Sequence, residues 1–213
     1  MKHLVIIGAR GFGREVCSVF YRTEQFISGA ISVKGFLDDK ADALDGLDGD
    51  WPPIISSVEQ YVIQEDDVFF CALGDPFWRK HYSDLITNKG GRFISIIHPT
   101  AIVNKTARIG EGCFIGPFTT ISPNVSIGKH VMIQAFVDLG HDSVVNSFSS
   151  IESYVFLGGY ASVGQLTIIH TKASVIPHKS VGNSCVVGHG SVVIKHVKEG
   201  LHVFGNPAVK IDC

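Results

Sequence analysis

Stepping by six from Ile97 meets an aliphatic side chain every time: Val103, Ile109, Ile115, Ile121, Ile127, Ile133, Leu139, Val145, Ile151, Leu157, Val163, Ile169, Val175, Val181, Val187 and Val193. The run spans 96 residues in 16 steps, and all 17 positions hold Ile, Leu or Val. Neither the 3.6-residue period of a helix nor the two-residue alternation of a strand generates a repeat of six. A short strand followed by a corner does, and three such hexads close one triangular rung of a parallel β-helix. Two places before most inward positions stands a small or β-branched residue, such as Ala107, Cys113, Thr119, Ser149, Ala161 or Thr167, which fits a narrow interior. The residue just after is often glycine (Gly110, Gly116, Gly128, Gly140, Gly158, Gly164, Gly182, Gly188), as suits a corner of positive φ. Rungs stacked about 4.8 Å apart give a prism roughly 26 Å long. Each buried aliphatic side chain contributes about 1.5–3 kcal/mol as an upper bound.

The chain before the prism follows a different pattern. His3–Ile7 reads as a buried strand, and Gly8-Ala9-Arg10-Gly11-Phe12-Gly13 follows at once. A helix is expected from Phe12 to about Glu24, with Val16, Val19 and Phe20 on one face. Next come a strand over Ile31–Leu37 ending in Asp38-Asp39, a loop over Asp42–Pro53, and a short helix over Ser57–Ile63. A strand over Val68–Leu73, the turn Gly74-Asp75-Pro76 and a helix over Trp78–Asn88 complete the alternation, and Phe93–Ile97 runs into the prism. Alternating strands and helices imply a parallel sheet with Rossmann-like winding. The expected fold class is an α/β half-Rossmann domain, residues 1–92, followed by a left-handed parallel β-helix with a C-terminal tail, residues 93–213.

The glycine loop aims backbone N–H groups and a helix N-terminus at an anion, usually a phosphate. Its spacing is G-x-x-G-x-G, not the dinucleotide fingerprint, and Asp38 follows Gly8 by 30 residues rather than about 20. A nucleotide smaller than a dinucleotide is expected, with Asp38 or Asp39 reaching its ribose or base. The alternative is a turn that needs glycine only for backbone geometry. Gly74 and Asp75 belong to the carboxyl edge of the sheet, where ligands bind in open α/β folds.

A net charge of −2, with 18% charged residues, offers no basic surface for nucleic acid or an anionic membrane. No apolar run approaches the ~20 residues that span a bilayer. The run Leu4–Ile7 is too short for a signal-peptide core. The five cysteines, Cys17, Cys71, Cys113, Cys185 and Cys213, show no paired spacing and read as reduced thiols of a cytoplasmic protein.

Among ten histidines, His178 and His196 are 18 apart, one rung, and are expected to stack on one column. His170, His189 and His202 show no partner at a telling spacing, and no metal site is expected. His141 differs, because it stands at a corner between Gly140 and Asp142. Asp142 there fixes the imidazole's tautomer while the other nitrogen takes a proton. Adding 18 gives Gly159, which with Gly158 offers a bare backbone N–H to a developing oxyanion. A base and an oxyanion donor one rung apart suit acyl transfer.

These motifs resemble those of the bacterial sugar O/N-acetyltransferases of the sialic-acid O-acetyltransferase and pilin-glycan (NeuD/PglD-like) type. The likeness is carried by residues 4–15 (LVIIGARGFGRE), 35–39 (GFLDD), 96–101 (IIHPTA), 137–142 (VDLGHD) and 205–208 (GNPA). It implies a cytoplasmic homotrimer with acetyl-CoA in the groove between neighbouring prisms. It further implies that the small domain holds the nucleotide of a UDP-linked amino sugar through Gly8, Gly11, Phe12, Gly13, Asp38, Asp39, Gly74 and Asp75. By the same resemblance His141 is the general base, Asp142 its orienter and Gly159 the amide at the thioester carbonyl. Gly158, Gly205, Asn206, Pro207 and Ala208 then border the coenzyme. Three positions depart from the family pattern: Phe12 and Ser150 each stand where many members have His, and Gln134 replaces a common Asn. The resemblance leaves open O-acetylation of a sialic acid or polysaccharide sugar, and a non-catalytic trimer that binds nucleotide sugar.

Overall fold

The computed structural model describes residues 1–211, so Cys213 lies outside the described residues. The chain divides into two compact units, Met1–Pro99 and Thr100 onward. The first is built from β1 (Lys2–Ile7), α1 (Gly11–Phe20), α2 (Glu24–Ile27), β2 (Ile31–Leu37), β3 (Ile54–Ser56), β4 (Asp67–Cys71) and α3 (Pro76–Asn88). All four strands are parallel, in the order β3-β2-β1-β4. Leu4, Val5 and Ile6 are fully buried, as the unbroken apolar run of a central parallel strand requires. Strand order reverses between β1 and β4, and ligands of open α/β sheets bind at the carboxyl ends beside such a reversal.

The helix expected over Ser57–Ile63 is absent; the segment is a turn that follows β3, a strand the sequence did not announce. Lys89 explains the turn. Its Nζ donates to the carbonyl oxygens of Val58, Glu59 and Tyr61, of which the first two are acceptors a helix there would need for itself.

The second unit is a left-handed parallel β-helix whose strands from Ile102–Val103 to Val192–Val193 are each two residues long. Successive rungs pair at a spacing of 18, as in Met132↔Ser150 and Ile133↔Ile151. From Ile115 to Val193 every inward aliphatic residue is buried, and Cys113, Thr119, Ser149, Thr167 and Cys185 fill the gaps between them. The polar fillers also donate to carbonyls of the next corner, as in Thr119 Oγ1 to Gln134 O at 2.8 Å and Thr167 Oγ1 to Gly182 O at 2.7 Å. Cys17, Cys71, Cys113 and Cys185 are free and buried. Among the described residues no helix is long and apolar enough to cross a membrane.

Two expectations about the corners are corrected. The glycines that follow the inward residues do not have positive φ. Twelve non-glycine residues do, two places further on, from Phe118 to Ser184 in steps of six. Each occupies the third position of a tight turn, and Pro117, Pro123 and Pro177 fall at the second, the arrangement of a type II turn. The glycines are needed for a different reason: a Cβ on Gly140 would lie 2.6 Å from Gly159 N, so the rungs approach too closely for any side chain. The second correction concerns His178 and His196. The last rung is two residues short, pairing Val186 with His202 and bridging Val181 to Val197. His196 Nδ1 therefore meets Ser180 Oγ at 2.7 Å, while His178 stacks on Tyr160 with ring centroids 4.9 Å apart.

Replacing Gly164 with Ala tests the close approach, because the new methyl would sit 2.5 Å from Asn183 N and the Gly182 carbonyl carbon. The expected loss is about 1–3 kcal/mol, read as a lower urea midpoint at unchanged slope. A midpoint equal to wild type would mean that the rungs part without cost.

Candidate active site

The carboxyl ends of β1, β2 and β4 border a cleft of about 390 Å³ whose walls include Gly8, Arg10, Phe12, Asp38, Asp39, Gly74, Asp75, Trp78 and Tyr82. Six of the eight substrate-binding positions expected from the sequence are thus brought together; Gly11 and Gly13 are not among the walls. Each loop glycine has its own reason. Gly8 has φ +95°, and a Cβ on Gly13 would collide with the Gly8 carbonyl. A Cβ on Gly11 would meet nothing within 4 Å, so packing gives no reason for glycine there. The N-terminus of α1 has no side-chain cap from Arg10 and no acidic residue in its first turn, which leaves its positive end unneutralised.

Asp38 braces the loop, with Oδ2 accepting from Ala9 N at 2.9 Å and Oδ1 from Lys40 N at 3.0 Å. Asp39 Oδ2 accepts from the Tyr82 phenol at 2.8 Å. Burial and this bond push Tyr82 up to about 12, so it remains a donor. Asp75 caps α3 through Oδ1, accepting from Phe77 N and Trp78 N at 2.8 and 3.0 Å. Beneath that turn lies Arg79, fully buried, whose Nη1 donates to Leu73 O at 2.7 Å and Gly74 O at 3.1 Å. Sequence reasoning missed Arg79, Trp78 and Tyr82, although Trp78 and Tyr82, four apart on α3, share one helix face.

In the prism, His141 and Asp142 are the two central residues of one turn. Asp142 has φ +58°, and this left-handed step bends the chain so that adjacent side chains meet: His141 Nδ1 lies 2.8 Å from Asp142 Oδ2. Asn124, one rung earlier, donates Nδ2 to Asp142 Oδ1 at 3.1 Å. The imidazole foremost, then Asn124, hold the Asp142 carboxyl below the usual carboxylate range. The Tyr160 ring, one rung later, packs edge-on to His141 at 5.2 Å. Both Asn124 and Tyr160 stand 18 residues from Asp142, a spacing that signals contact in this fold.

Gly159 lies against the other edge of the imidazole, where a Cβ would come 2.8 Å from His141 Nε2. The Gly159 N–H has no hydrogen-bond acceptor among the described residues. At two equivalent turn positions in another column the residue 18 further on supplies one: Lys129 N donates to Ser147 Oγ and Gln165 N to Asn183 Oδ1. For Gly159 that residue is Pro177, which has no side-chain acceptor.

Gly158 adjoins this corner, whereas Gly205–Ala208 folds back on Ser191 and Val192, about three rungs or 14 Å further along. Gln134 and Ser150 belong to another face, that of Met132–Ile133 and Ser150–Ile151. His170 and His189 do have a partner, contrary to expectation: their rings stack at 4.7 Å, and His170 Nδ1 lies 3.0 Å from Glu152 Oε1. The spacing of 19 that joins them is one rung plus a step around the corner.

A family model for the PglD N-terminal domain matches residues 3–86, and one for the GMPPB C-terminal domain matches residues 97–198. The curated UDP-N-acetylbacillosamine N-acetyltransferase of Bacillus subtilis (strain 168) is 29% identical over 119 residues, 54% of this chain and 51% of that protein. The chain thus spans about half the length of the curated relative it matches. The acetyltransferase domain of PglB from Neisseria gonorrhoeae FA1090, in complex with acetyl coenzyme A, superposes with a TM-score of 0.88 at 24% identity, over 99% of each chain. A mutant of perosamine N-acetyltransferase from Caulobacter crescentus, in complex with CoA and GDP-perosamine, gives 0.86 at 22% identity, over 100% of this chain and 98% of that one. At such identities these structures share the fold. Residues 3–86 thus match the PglD N-terminal domain, and the two-unit fold is the one these acetyltransferase structures have.

Proposed function

We propose that the protein is a cytoplasmic, acetyl-CoA-dependent N-acetyltransferase acting on a nucleotide-linked amino sugar, UDP-linked in the first instance, in bacterial surface-glycan synthesis. The observation that carries this reading is the corner at His141: one imidazole nitrogen is tied to Asp142 while the other faces Gly159, whose N–H is unengaged. The relatives named for N-acetylation of bacillosamine and perosamine nucleotides support an amine acceptor.

Acetyl-CoA supplies the acyl group as a thioester with a thiol leaving group. His141 Nε2 accepts the proton that the sugar amine loses as its nitrogen bonds to the thioester carbon. Gly159 N–H donates to the oxygen that becomes negative in the tetrahedral adduct. Asp142 holds the Nδ1–H tautomer beforehand and steadies the imidazolium afterwards. When the C–S bond breaks, His141 returns the proton to the departing thiolate, so the products are the N-acetyl sugar and free CoA thiol. In the N-terminal unit, the glycine loop and the start of α1 receive a phosphate, while Trp78 and Tyr82 offer faces for the nucleobase.

The active form in this proposal is a homotrimer with the coenzyme in its intersubunit grooves. Phe118, Phe136 and Tyr154 support it: they stack along one corner at 5.0 and 4.9 Å, yet are 56%, 45% and 54% exposed in a single chain. Contiguous exposed apolar surface of this kind marks an association face. Light scattering should give about three times 23.1 kDa. A monomer active at assay concentration would remove the groove.

Thiol release from acetyl-CoA with UDP-, GDP- and dTDP-amino sugars tests the activity itself. His141→Ala should lower kcat by about 10²–10⁴-fold with assembly unchanged, and Asp142→Asn by less. Activity surviving His141→Ala would misplace the base. Gly11→Val, whose side chain enters space that nothing in the fold occupies, should raise KM for the nucleotide sugar well above any change in KM for acetyl-CoA. Equal effects on both would put the nucleotide elsewhere.

A further inference from the structure

Glu152, His170 and His189 come from three consecutive rungs. Glu152 and His170 each follow the inward residue of a strand, Ser150–Ile151 and Ile168–Ile169, and so stand one above the other. On the next rung that position is Gly188, and His189 beside it turns in at the corner. One potential ligand atom from each of the three lies within 4.8 Å of the others. His170 Nδ1 is buried and 3.0 Å from Glu152 Oε1, but without a well-aligned hydrogen bond. The His170 and His189 rings stack with their planes 18° apart.

The carboxylate is already oriented. Glu152 Oε2 accepts from Thr171 N at 3.0 Å and Thr171 Oγ1 at 3.1 Å, which leaves Oε1 toward the histidines. Such outer donors are what fix a metal-binding carboxylate.

We propose that Glu152, His170 and His189 form a binding site for a zinc-class divalent cation that ties three rungs together. Two imidazoles and a carboxylate are a zinc donor set, and three protein ligands leave a fourth position to water. Bonds of about 2.0–2.2 Å around a tetrahedral ion set ligand atoms roughly 3.3 Å apart. Glu152 and His170 already have nearly that separation. His189, exposed at its corner, turns out of its stack on His170 so that its ring plane takes in the ion. The site does not depend on the transferase reading, since none of its residues takes part in the proposed chemistry.

The test uses full-length protein stripped with a chelator, into which zinc chloride is titrated by calorimetry, with thermal melting in parallel. One equivalent of zinc per chain is expected, with a higher melting temperature, and cobalt in its place should show the intense visible absorption of a four-coordinate ion. Glu152→Gln, His170→Ala and His189→Ala should each weaken binding by about tenfold or more, whereas His141→Ala should leave it unchanged. His189→Ala, at an exposed corner, is decisive should His170→Ala fail to fold. No zinc uptake by the wild type, undiminished uptake by His189→Ala and Glu152→Gln, or loss of uptake in His141→Ala would each overturn the proposal.

Discussion

Rungs that stack at strand spacing bring every residue against the one 18 places away, and the rest of the prism follows from that contact. Where main chains cross most closely no Cβ fits, hence the glycines at Gly140 and Gly164. Where the chain must turn within two residues, one of them takes left-handed φ. That residue is seldom glycine here, because a side chain at the turn gains a stacking partner above and below, as Phe136 does between Phe118 and Tyr154. A lone aromatic residue in that conformation would be disfavoured; in a ladder, the loss is offset by ring contact.

The same contact builds the chemistry. Asp142 is held from the rung before by Asn124 and from beside by His141, and the imidazole rests on the rung after at Gly159. No loop has to fold over the site to assemble it. In one other column Ser147 and Asn183 fill the equivalent N–H from the rung after, whereas Pro177 has no side-chain acceptor to offer Gly159. An amide donor is left open because the ladder lacks one acceptor, and a preorganised donor of that kind needs no rearrangement when charge appears.

Periodicity made most of this legible. The hexads specify rung, face and interior, and adding 18 to His141 reaches Gly159 without any coordinates. The same arithmetic offered Asn124 and Tyr160 but was not carried to them. It failed for His196 because the final rung is shortened, and nothing in the pattern after Val193 announces a rung of 16. In the N-terminal unit, local propensity lost to a distant side chain: Lys89 takes the carbonyls of Val58, Glu59 and Tyr61, 28 to 31 residues away, and a turn replaces the helix. Contacts of that range leave no local signal.

In the cleft of the N-terminal unit the residues of one motif divide between holding the fold and facing the open space. Gly8 and Gly13 are fixed by the fold, one by its φ and the other by its approach to the Gly8 carbonyl, so only Gly11 is free to be glycine for a ligand's sake. The acids divide in the same way. Asp38 spends both oxygens on Ala9 N and Lys40 N, and Asp39 one on Tyr82, while Asp75 uses a single oxygen to start α3. A ligand hydroxyl or base N–H therefore finds its open acceptors at Asp39 and Asp75 before Asp38. The buried Arg79 keeps the Asp75 turn in place by binding Leu73 O and Gly74 O, and its cation offsets part of the acidic field that would otherwise repel a phosphate. An acidic wall and an uncapped helix terminus in one cleft suit a ligand with a polar, donor-rich end and an anionic middle, which is the charge pattern of a nucleoside diphosphate.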